Sequence, residues 1–189
     1  MTDKASCNPD GWVEEYGDFL YRFALTRLRD PATAEELVQE AFLGALKSLD
    51  TYRGDSPERA WLVGILKNKI MDHFRRSSRE RPLTETEGDL DELFNAKGHW
   101  KRLPEAWAAD PVKVHEDKEF WKILYDCIAG LPERLARVFH LREMDDVSTD
   151  EVCKVLDLTP TNLWVMMHRA RLRLRTCMEE NWFSVKGKA

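Results

Sequence analysis

Hydrophobic residues recur at intervals of three and four positions along most of the chain, a spacing typical of amphipathic α-helices. In the N-terminal half, this pattern predicts helices over Trp12 to Arg29, Ala32 to Leu49 and Glu58 to Arg76. Asp30 and Pro31 supply an N-cap and a first-turn proline for the second helix. The positions expected to face the core are Val13, Tyr16, Phe19, Leu20, Phe23, Ala24 and Leu28, then Ala34, Leu37, Val38, Ala41, Phe42, Ala45, Leu46 and Leu49, and then Trp61, Leu62, Ile65, Leu66 and Ile70.

The C-terminal part of the chain predicts four further helices, the last two of which are separated by a tight turn. The four run from about Val112 to Ala129, from the Gly130 turn to about Glu143, from Thr149 to Asp157 and from Pro160 to Arg175. Ser148 and Glu151 form a capping box, and Thr159 is an N-cap for the last helix. Such a pair of helices is a helix-turn-helix, whose second helix normally lies in the DNA major groove. Asp157 occupies the turn position where glycine is usual.

The last helix has an apolar and a polar side at about 100° per residue. The residues predicted to face inward are Leu163, Met167, Ala170 and Leu174. The residues predicted to face outward are Thr161, Val165, His168, Arg169 and Arg175. Trp164 lies near the border, where its ring can either contact a thymine methyl group or pack against the preceding helix; we favour packing.

Charge is distributed unevenly along the chain, whose net charge is −5. Residues 67–81 contain six basic and two acidic side chains, and four arginines lie between Arg169 and Arg175. Residues 82–126 contain eleven acidic and six basic side chains. Two basic segments separated by an acidic one suggest two DNA-contacting units joined by a segment that avoids DNA, or simply uneven solvated charge. Trp100 and Trp107 lie in this acidic linker, and their role is open.

Several function classes lack their sequence signals. No apolar run approaches the roughly 20 residues of a membrane span, and the N-terminus has no signal-peptide core, so we expect a cytoplasmic protein without membrane insertion. Cys127 and Cys153 lie in apolar helical patterns and are predicted to be small buried hydrophobic residues. We find no metal-ligand spacing, no cofactor motif and no catalytic motif, so neither a metal, a cofactor nor an enzymatic activity is expected.

Two clusters have the composition of binding surfaces. Glu35, Glu36, Gln39 and Glu40 lie together at the start of the second helix, where carboxylates favour the helix dipole and also suit a basic partner. The loop after this helix displays Tyr52 before a helix rich in Lys and Arg. An aromatic ring beside cations is suited to single-stranded nucleic acid, although such a tyrosine can also be a packed loop anchor.

Together these features resemble the extracytoplasmic-function (group IV) sigma factors of bacterial RNA polymerase. The resemblance rests on two blocks, LYRFALTRLRDPATAEELVQEAFLGALKSLDTYRGDSPERAWLVGILKNKIMDHFRR and LPERLARVFHLREMDDVSTDEVCKVLDLTPTNLWVMMHRARLRLR, in this order. It implies an all-α fold of two small helical domains joined by a flexible linker. The implied segments are sigma region 2 over 1–80, the acidic linker over 81–111, sigma region 4 over 112–182 and a tail over 183–189.

The resemblance also implies partners and residue roles. The partners are core RNA polymerase, through its beta-prime clamp helices and beta flap, promoter DNA, and an anti-sigma factor. The residues implied in polymerase docking are Asp30, Glu35, Glu36, Gln39 and Glu40. Those implied in minus-10 recognition and melting are Tyr52, Arg53, Lys67, Asn68, Lys69, Asp72, Arg75 and Arg76. Those implied at the minus-35 element are Thr161, Asn162, Val165, His168, Arg169, Arg171 and Arg175.

The main alternative is a stand-alone helix-turn-helix regulator that binds duplex DNA as a dimer. A third interpretation is a helical interaction protein whose basic patches are solvated faces. Residues 20–76 distinguish the first interpretation from the second, because a simple repressor needs neither an acidic docking helix nor an aromatic and basic loop. The departure of Trp164, Val165 and Met166 from the short polar sequence usual in the family leaves the bases that are read undefined.

Overall fold

The computed structural model describes residues 8–80 and 117–183. The chain divides into two compact units, and the helices before and after the gap are described separately. The helices are α1 (Trp12–Leu28), α2 (Pro31–Lys47), α3 (Glu58–Glu80), α4 (Lys118–Ala129), α5 (Glu133–Phe139), α6 (Thr149–Leu156) and α7 (Pro160–Met178). Within the described ranges all regular structure is helical, which confirms the predicted all-α class.

In the N-terminal unit, α1, α2 and α3 pack against one another. The junction between α1 and α2 is fixed locally: Arg29 adopts a left-handed conformation that ends α1, and the Asp30 carboxylate accepts the backbone N–H of Thr33 at 2.9 Å. Pro31 occupies the first turn of α2, as predicted. The core that results includes Leu20, Ala24, Leu37, Ala41, Leu62, Leu66, Ile70 and Phe74.

Two predicted core positions of this unit are wrong. Val13 is exposed and Trp12 is buried instead, because the Trp12 indole N–H donates to Glu58 at 3.2 Å and its ring lies 5.9 Å from that of Trp61. Leu46 is 49% exposed. It lies about 100° around α2 from the buried Ala45, outside the face that α2 turns toward the core.

The predicted helix boundaries shift by a few residues. α2 ends at Lys47, and Leu49–Thr51 form a 3₁₀ turn instead of continuing the helix. α3 continues to Glu80, beyond the predicted end at Arg76. In the C-terminal unit, the helix predicted to reach Glu143 ends at Phe139 and passes into a π-helical turn over His140–Met144.

The helix-turn-helix forms as predicted. The Ser148 hydroxyl accepts the backbone N–H of Glu151 at 3.2 Å, and the Thr159 hydroxyl accepts that of Asn162 at 3.2 Å. Asp157 has a φ of 52°, so it adopts the left-handed conformation that glycine usually supplies and that Asp tolerates better than most residues.

Helix α7 packs against both α4 and α5, and its buried surface is therefore wider than a single stripe. Leu163, Met167, Ala170 and Leu174 are buried, which confirms the predicted inward face. The prediction that His168 faces outward is wrong, because this residue is only 2% exposed. A helix held from two sides buries flanking positions that a single-stripe analysis assigns to solvent.

The cysteines also depart from expectation. Cys127 is buried, as predicted, but its sulfur is bonded to that of Cys177, with the two Cα atoms 5.8 Å apart. Cys153 is a free thiol of intermediate exposure. The bond was not predicted because its partners are 50 residues apart in sequence and meet only when α4 packs on α7.

Other predictions lie outside the described residues. These are the linker over 81–111 with Trp100 and Trp107, the start of the helix at Val112, and the tail beyond Phe183. The domain boundaries therefore remain predictions. Among the described helices, none has both the length and the apolar character required to cross a membrane.

Candidate nucleic-acid interfaces

The acidic face of α2, defined here as Glu35, Glu36, Gln39 and Glu40, lies largely in solvent. Its first three members are exposed and Glu40 is half-buried. Asp30 stands at the N-cap of the same helix, and its pKa is below the usual value because Thr33 donates both its hydroxyl and its backbone N–H to the carboxylate. The five predicted docking residues are thus brought together on one helix, and Asp30 also has a capping role.

Two exposed leucines extend the acidic face. Leu43 is 58% exposed and Leu46 is also largely exposed. Leu43 lies three residues after Glu40 and four after Gln39, and Leu46 lies seven residues after Gln39, so both leucines lie along the same side of α2. Adjacent exposed apolar side chains rimmed by polar groups are typical of protein-interaction surfaces. Leu43 was not among the predicted site residues, and Leu46 was predicted to face the core.

An ion pair connects this face to the basic side of α3. Lys69 Nζ lies 3.0 Å from a Glu40 carboxylate oxygen, and each side chain is little more than one-third exposed. Glu40 is predicted to contact a protein partner, and Lys69 is predicted to contact DNA. The structure brings these two groups into direct contact.

Tyr52 is held in its loop by two contacts. Its hydroxyl donates to the backbone oxygen of Ser56, and its ring centroid lies 4.7 Å from that of Trp61. The residue is half-buried, whereas the neighbouring Arg53 is exposed. In this conformation Tyr52 is a packed loop anchor, with part of its surface left accessible.

The other predicted minus-10 residues lie along α3. Asn68, Asp72 and Arg76 are exposed, while Lys67, Lys69 and Arg75 are half-buried. Arg75 is paired with Asp72 at 2.7 Å, and the ammonium group of Lys67 lies 6.0 Å from the Phe23 ring centroid. Most of these cations therefore already have a partner within the N-terminal unit.

The N-terminal half of α7 displays the predicted base-reading positions. Thr161 is exposed, and Asn162 and Val165 are half-exposed. Trp164 is 38% exposed, and its ring lies 4.0 Å from that of His168 on the same helix. The indole is therefore not enclosed in the core, and its favoured packing against the preceding helix stays a prediction. Burial, and secondarily the positive charge of Arg171, holds the pKa of His168 below its usual value.

The arginines of α7 differ in their surroundings. Arg171 is paired with Glu143 at 2.7 Å, and the Arg175 Nε is paired with Glu179 at 2.7 Å. Arg169 is half-exposed and has no carboxylate partner among the described residues. In the described part of the chain, no group of three or more His, Cys, Asp or Glu side chains could hold a metal ion.

These features define a class: a helical protein whose C-terminal unit is a helix-turn-helix with a basic second helix and whose N-terminal unit combines an acidic face with a basic helix. The family model for sigma-70 region 2 matches residues 12–80, and that for sigma-70 region 4 matches residues 121–174. The chain belongs to the sigma-70 family of RNA polymerase sigma factors, in its extracytoplasmic-function group. It is an alternative sigma factor rather than a stand-alone regulator.

Two named sigma factors from other bacteria agree with this assignment. A probable RNA polymerase sigma factor of Haemophilus influenzae is 38% identical over 163 residues, covering 84% of this chain and 83% of that protein. The ECF RNA polymerase sigma-E factor of Escherichia coli is 29% identical over 136 residues, covering 72% and 69%. A solved structure of the sigma factor RpoE with the anti-sigma factor NepR from Bartonella quintana aligns with a TM-score of 0.43 at 18% identity, covering 90% of this chain and 96% of that one.

Proposed function

We propose that this chain binds core RNA polymerase through the acidic face of α2, directs the enzyme to particular promoters and assists opening of the minus-10 DNA. The observation that carries the proposal is the continuation of the acidic face into exposed Leu43 and Leu46. Carboxylates beside accessible apolar surface suit a protein partner that is basic and partly apolar. A beta-prime clamp-helix site is the partner that the family relationship implies, and the beta flap is the expected second contact.

Minus-10 recognition is assigned to the loop at Tyr52 and the polar side of α3. Tyr52 and Arg53 would hold an unstacked base and its phosphate, with Asn68 and Asp72 near the bases. The remaining cations, Lys67, Lys69, Arg75 and Arg76, would contact phosphates. The proposal is supported by the accessible edge of Tyr52 and by the placement of the basic side chains along one helix.

Minus-35 recognition is assigned to α7. Thr161, Asn162 and Val165 lie at its N-terminal end, where recognition helices reach base edges, and Arg169, Arg171 and Arg175 are the proposed phosphate contacts. Because His168 is buried, we assign it no base contact; it supports the Trp164 ring. In place of His168, we assign a base contact to Trp164, whose accessible apolar ring suits a thymine methyl group.

The proposal also includes the compartment, the type of activity and the domain boundaries. The protein acts in the cytoplasm as a non-catalytic initiation factor, with domain boundaries near residues 80 and 112. An anti-sigma factor is a further proposed partner, since members of this group commonly work with one.

A binding test separates this function from that of a stand-alone regulator. Duplexes selected from a random pool by the chain with core polymerase should bind specifically only when core is present. Glu36→Arg combined with Leu43→Ala should weaken core binding at least tenfold without loss of fold, since both side chains are exposed. Glu14→Arg, an exposed charge reversal on α1, is the matched control. Specific binding of one duplex by the chain alone, as a dimer, would replace the proposal with the regulator.

A further inference from the structure

A disulfide joins α7, the helix that carries the proposed minus-35 readers, to α4, the first described helix of the same unit. Cys127 lies near the end of α4 and Cys177 near the end of α7. Their Cα atoms are 5.8 Å apart, within the 4.4–6.8 Å range that a disulfide spans without backbone movement. The packing of α4 on α7 therefore holds both sulfurs at bonding distance.

The two sulfurs differ in their access to solvent. Cys127 is buried, whereas Cys177 is half-exposed. The Asn181 side-chain amide lies 3.6 Å from the Cys177 sulfur and donates to the Cys177 backbone oxygen at 2.8 Å. A small oxidant can reach Cys177 first, and the amide dipole favours negative charge on its sulfur. Cys127 is then placed to attack from within the unit.

The setting argues that the bond is reversible. Disulfides inside the cell are uncommon, and those that occur are mostly transient and catalytic or redox-sensing. Under the proposed function this chain works beside polymerase and DNA, in that reducing environment. The unit also has an apolar core of its own, with Val138, Val152 and Leu163 buried, so its fold does not depend on the sulfurs alone.

We propose that Cys127 and Cys177 are a reversible oxidation site that responds to peroxide. In the first step the Cys177 thiolate attacks one peroxide oxygen: an S–O bond forms, the O–O bond breaks and water leaves after protonation. The Cys127 thiolate then attacks the Cys177 sulfur: the S–S bond forms and the S–O bond breaks, releasing a second water. Two thiols and one hydrogen peroxide thus become one disulfide and two waters, and a dithiol reductant reverses the change.

Oxidation has a defined mechanical effect. The bond fastens the C-terminal end of α7, whose N-terminal half carries Thr161, Asn162 and Val165. The oxidised unit is therefore expected to be more stable and to hold α7 more firmly than the reduced unit. Cys153 is a free thiol outside this bond, and burial, and then Asp150, raises the pKa of that thiol above its usual value.

The first test follows the thiols in the full chain. With Cys7→Ser and Cys153→Ser, the two remaining cysteines should take up two maleimide groups after dithiothreitol and none after one equivalent of hydrogen peroxide. A peptide linking Cys127 to Cys177 should appear by mass spectrometry. Cys177→Ser added to this double-serine chain should leave one reactive thiol under both treatments. Two reactive thiols after peroxide in the double-serine chain, or a pair that dithiothreitol does not open in the folded protein, would overturn the proposal.

The second test measures the consequence. Oxidation should raise the melting temperature of the C-terminal unit by about 10 °C or more, and this shift should vanish in Cys177→Ser but persist in Cys153→Ser. Affinity of the holoenzyme for the minus-35 duplex should fall at least threefold on reduction at a temperature just below that transition. An unchanged melting temperature would overturn the redox proposal. A normal shift in a chain that binds no promoter in either state would instead overturn the proposed function.

Discussion

The surroundings of Arg169 and Arg171 lead to a quantitative prediction about salt. Both arginines are proposed phosphate contacts, but only Arg171 is already paired, with Glu143 at 2.7 Å. A cation that binds a phosphate releases the condensed counterion, and the slope of log affinity against log salt changes by about 0.9 for each contact. Before Arg171 binds a phosphate, it must separate from the Glu143 carboxylate. The freed carboxylate then takes up a cation from the solution, and this uptake offsets the counterion that the phosphate releases.

The magnitudes follow from this difference. Arg169→Ala should reduce the slope by about 0.9. The factor by which affinity falls between 50 and 200 mM salt should then be about 3.5-fold smaller than in the wild type. Arg171→Ala should reduce the slope by clearly less. Glu143→Gln removes the competing carboxylate, so it should steepen the slope and raise the low-salt affinity by about fivefold at most, since an exposed ion pair contributes at most ~1 kcal/mol.

The assay is fluorescence anisotropy of holoenzyme on a selected minus-35 duplex at four or more salt concentrations. Lys122→Ala, an exposed cation on α4 with no assigned DNA role, controls for net charge. Equal slope changes for Arg169→Ala and Arg171→Ala would refute the reasoning, because the ion pair would then not matter. A changed base preference in Arg169→Ala would show that α7 lies differently in the groove.

Three further predictions concern single rings. Tyr52→Ala should reduce permanganate reactivity of the minus-10 region while leaving minus-35 binding unchanged, and Tyr52→Phe should retain most of it; equal reactivity in Tyr52→Ala and wild type would leave the ring only a loop anchor. Trp164→Ala should alter the preferred minus-35 sequence by about 1–3 kcal/mol at one base pair, with little change in melting temperature, because the ring is accessible; the reverse result would return it to the core. The pKa of folded His168 lies below its ordinary value of 6.5, so the C-terminal unit should lose stability as the pH falls from about 6.5 toward that lowered value. Denaturant unfolding at several pH values should show a smaller loss of unfolding free energy in His168→Gln than in the wild type.

Local signals in the sequence were strong enough to predict most of the fold. The N-caps at Asp30 and Thr159 and the capping box at Ser148 each use a side chain within three residues of its backbone donor, so they do not depend on tertiary packing. The same is true of Asp157, whose left-handed conformation is a local property of the turn.

The burial predictions were wrong where the tertiary packing of other helices, and not the periodicity of one helix, determines exposure. His168 is buried because α7 is covered by both α4 and α5, which helical periodicity alone does not reveal. Leu46 is apolar, as a core residue would be, but in the described structure its side chain is largely exposed. The bond between Cys127 and Cys177 likewise depends on two helices meeting, so no spacing rule could have indicated it.

The net charge of the chain is −5, and the internal ion pairs determine how strongly its cations can bind DNA. In the described residues, Lys69, Arg75, Arg171 and Arg175 each face a carboxylate of the same chain. A phosphate must displace that carboxylate, so the isolated chain should bind DNA weakly. The Glu40–Lys69 pair is different in one respect, because Glu40 also belongs to the acidic face. A basic partner that engages Glu40 releases Lys69 for a phosphate, and a phosphate on Lys69 releases Glu40 for the partner. Under the proposed function, we therefore expect docking and minus-10 contact to favour each other through this shared pair, so that DNA binding is strongest in the assembled polymerase.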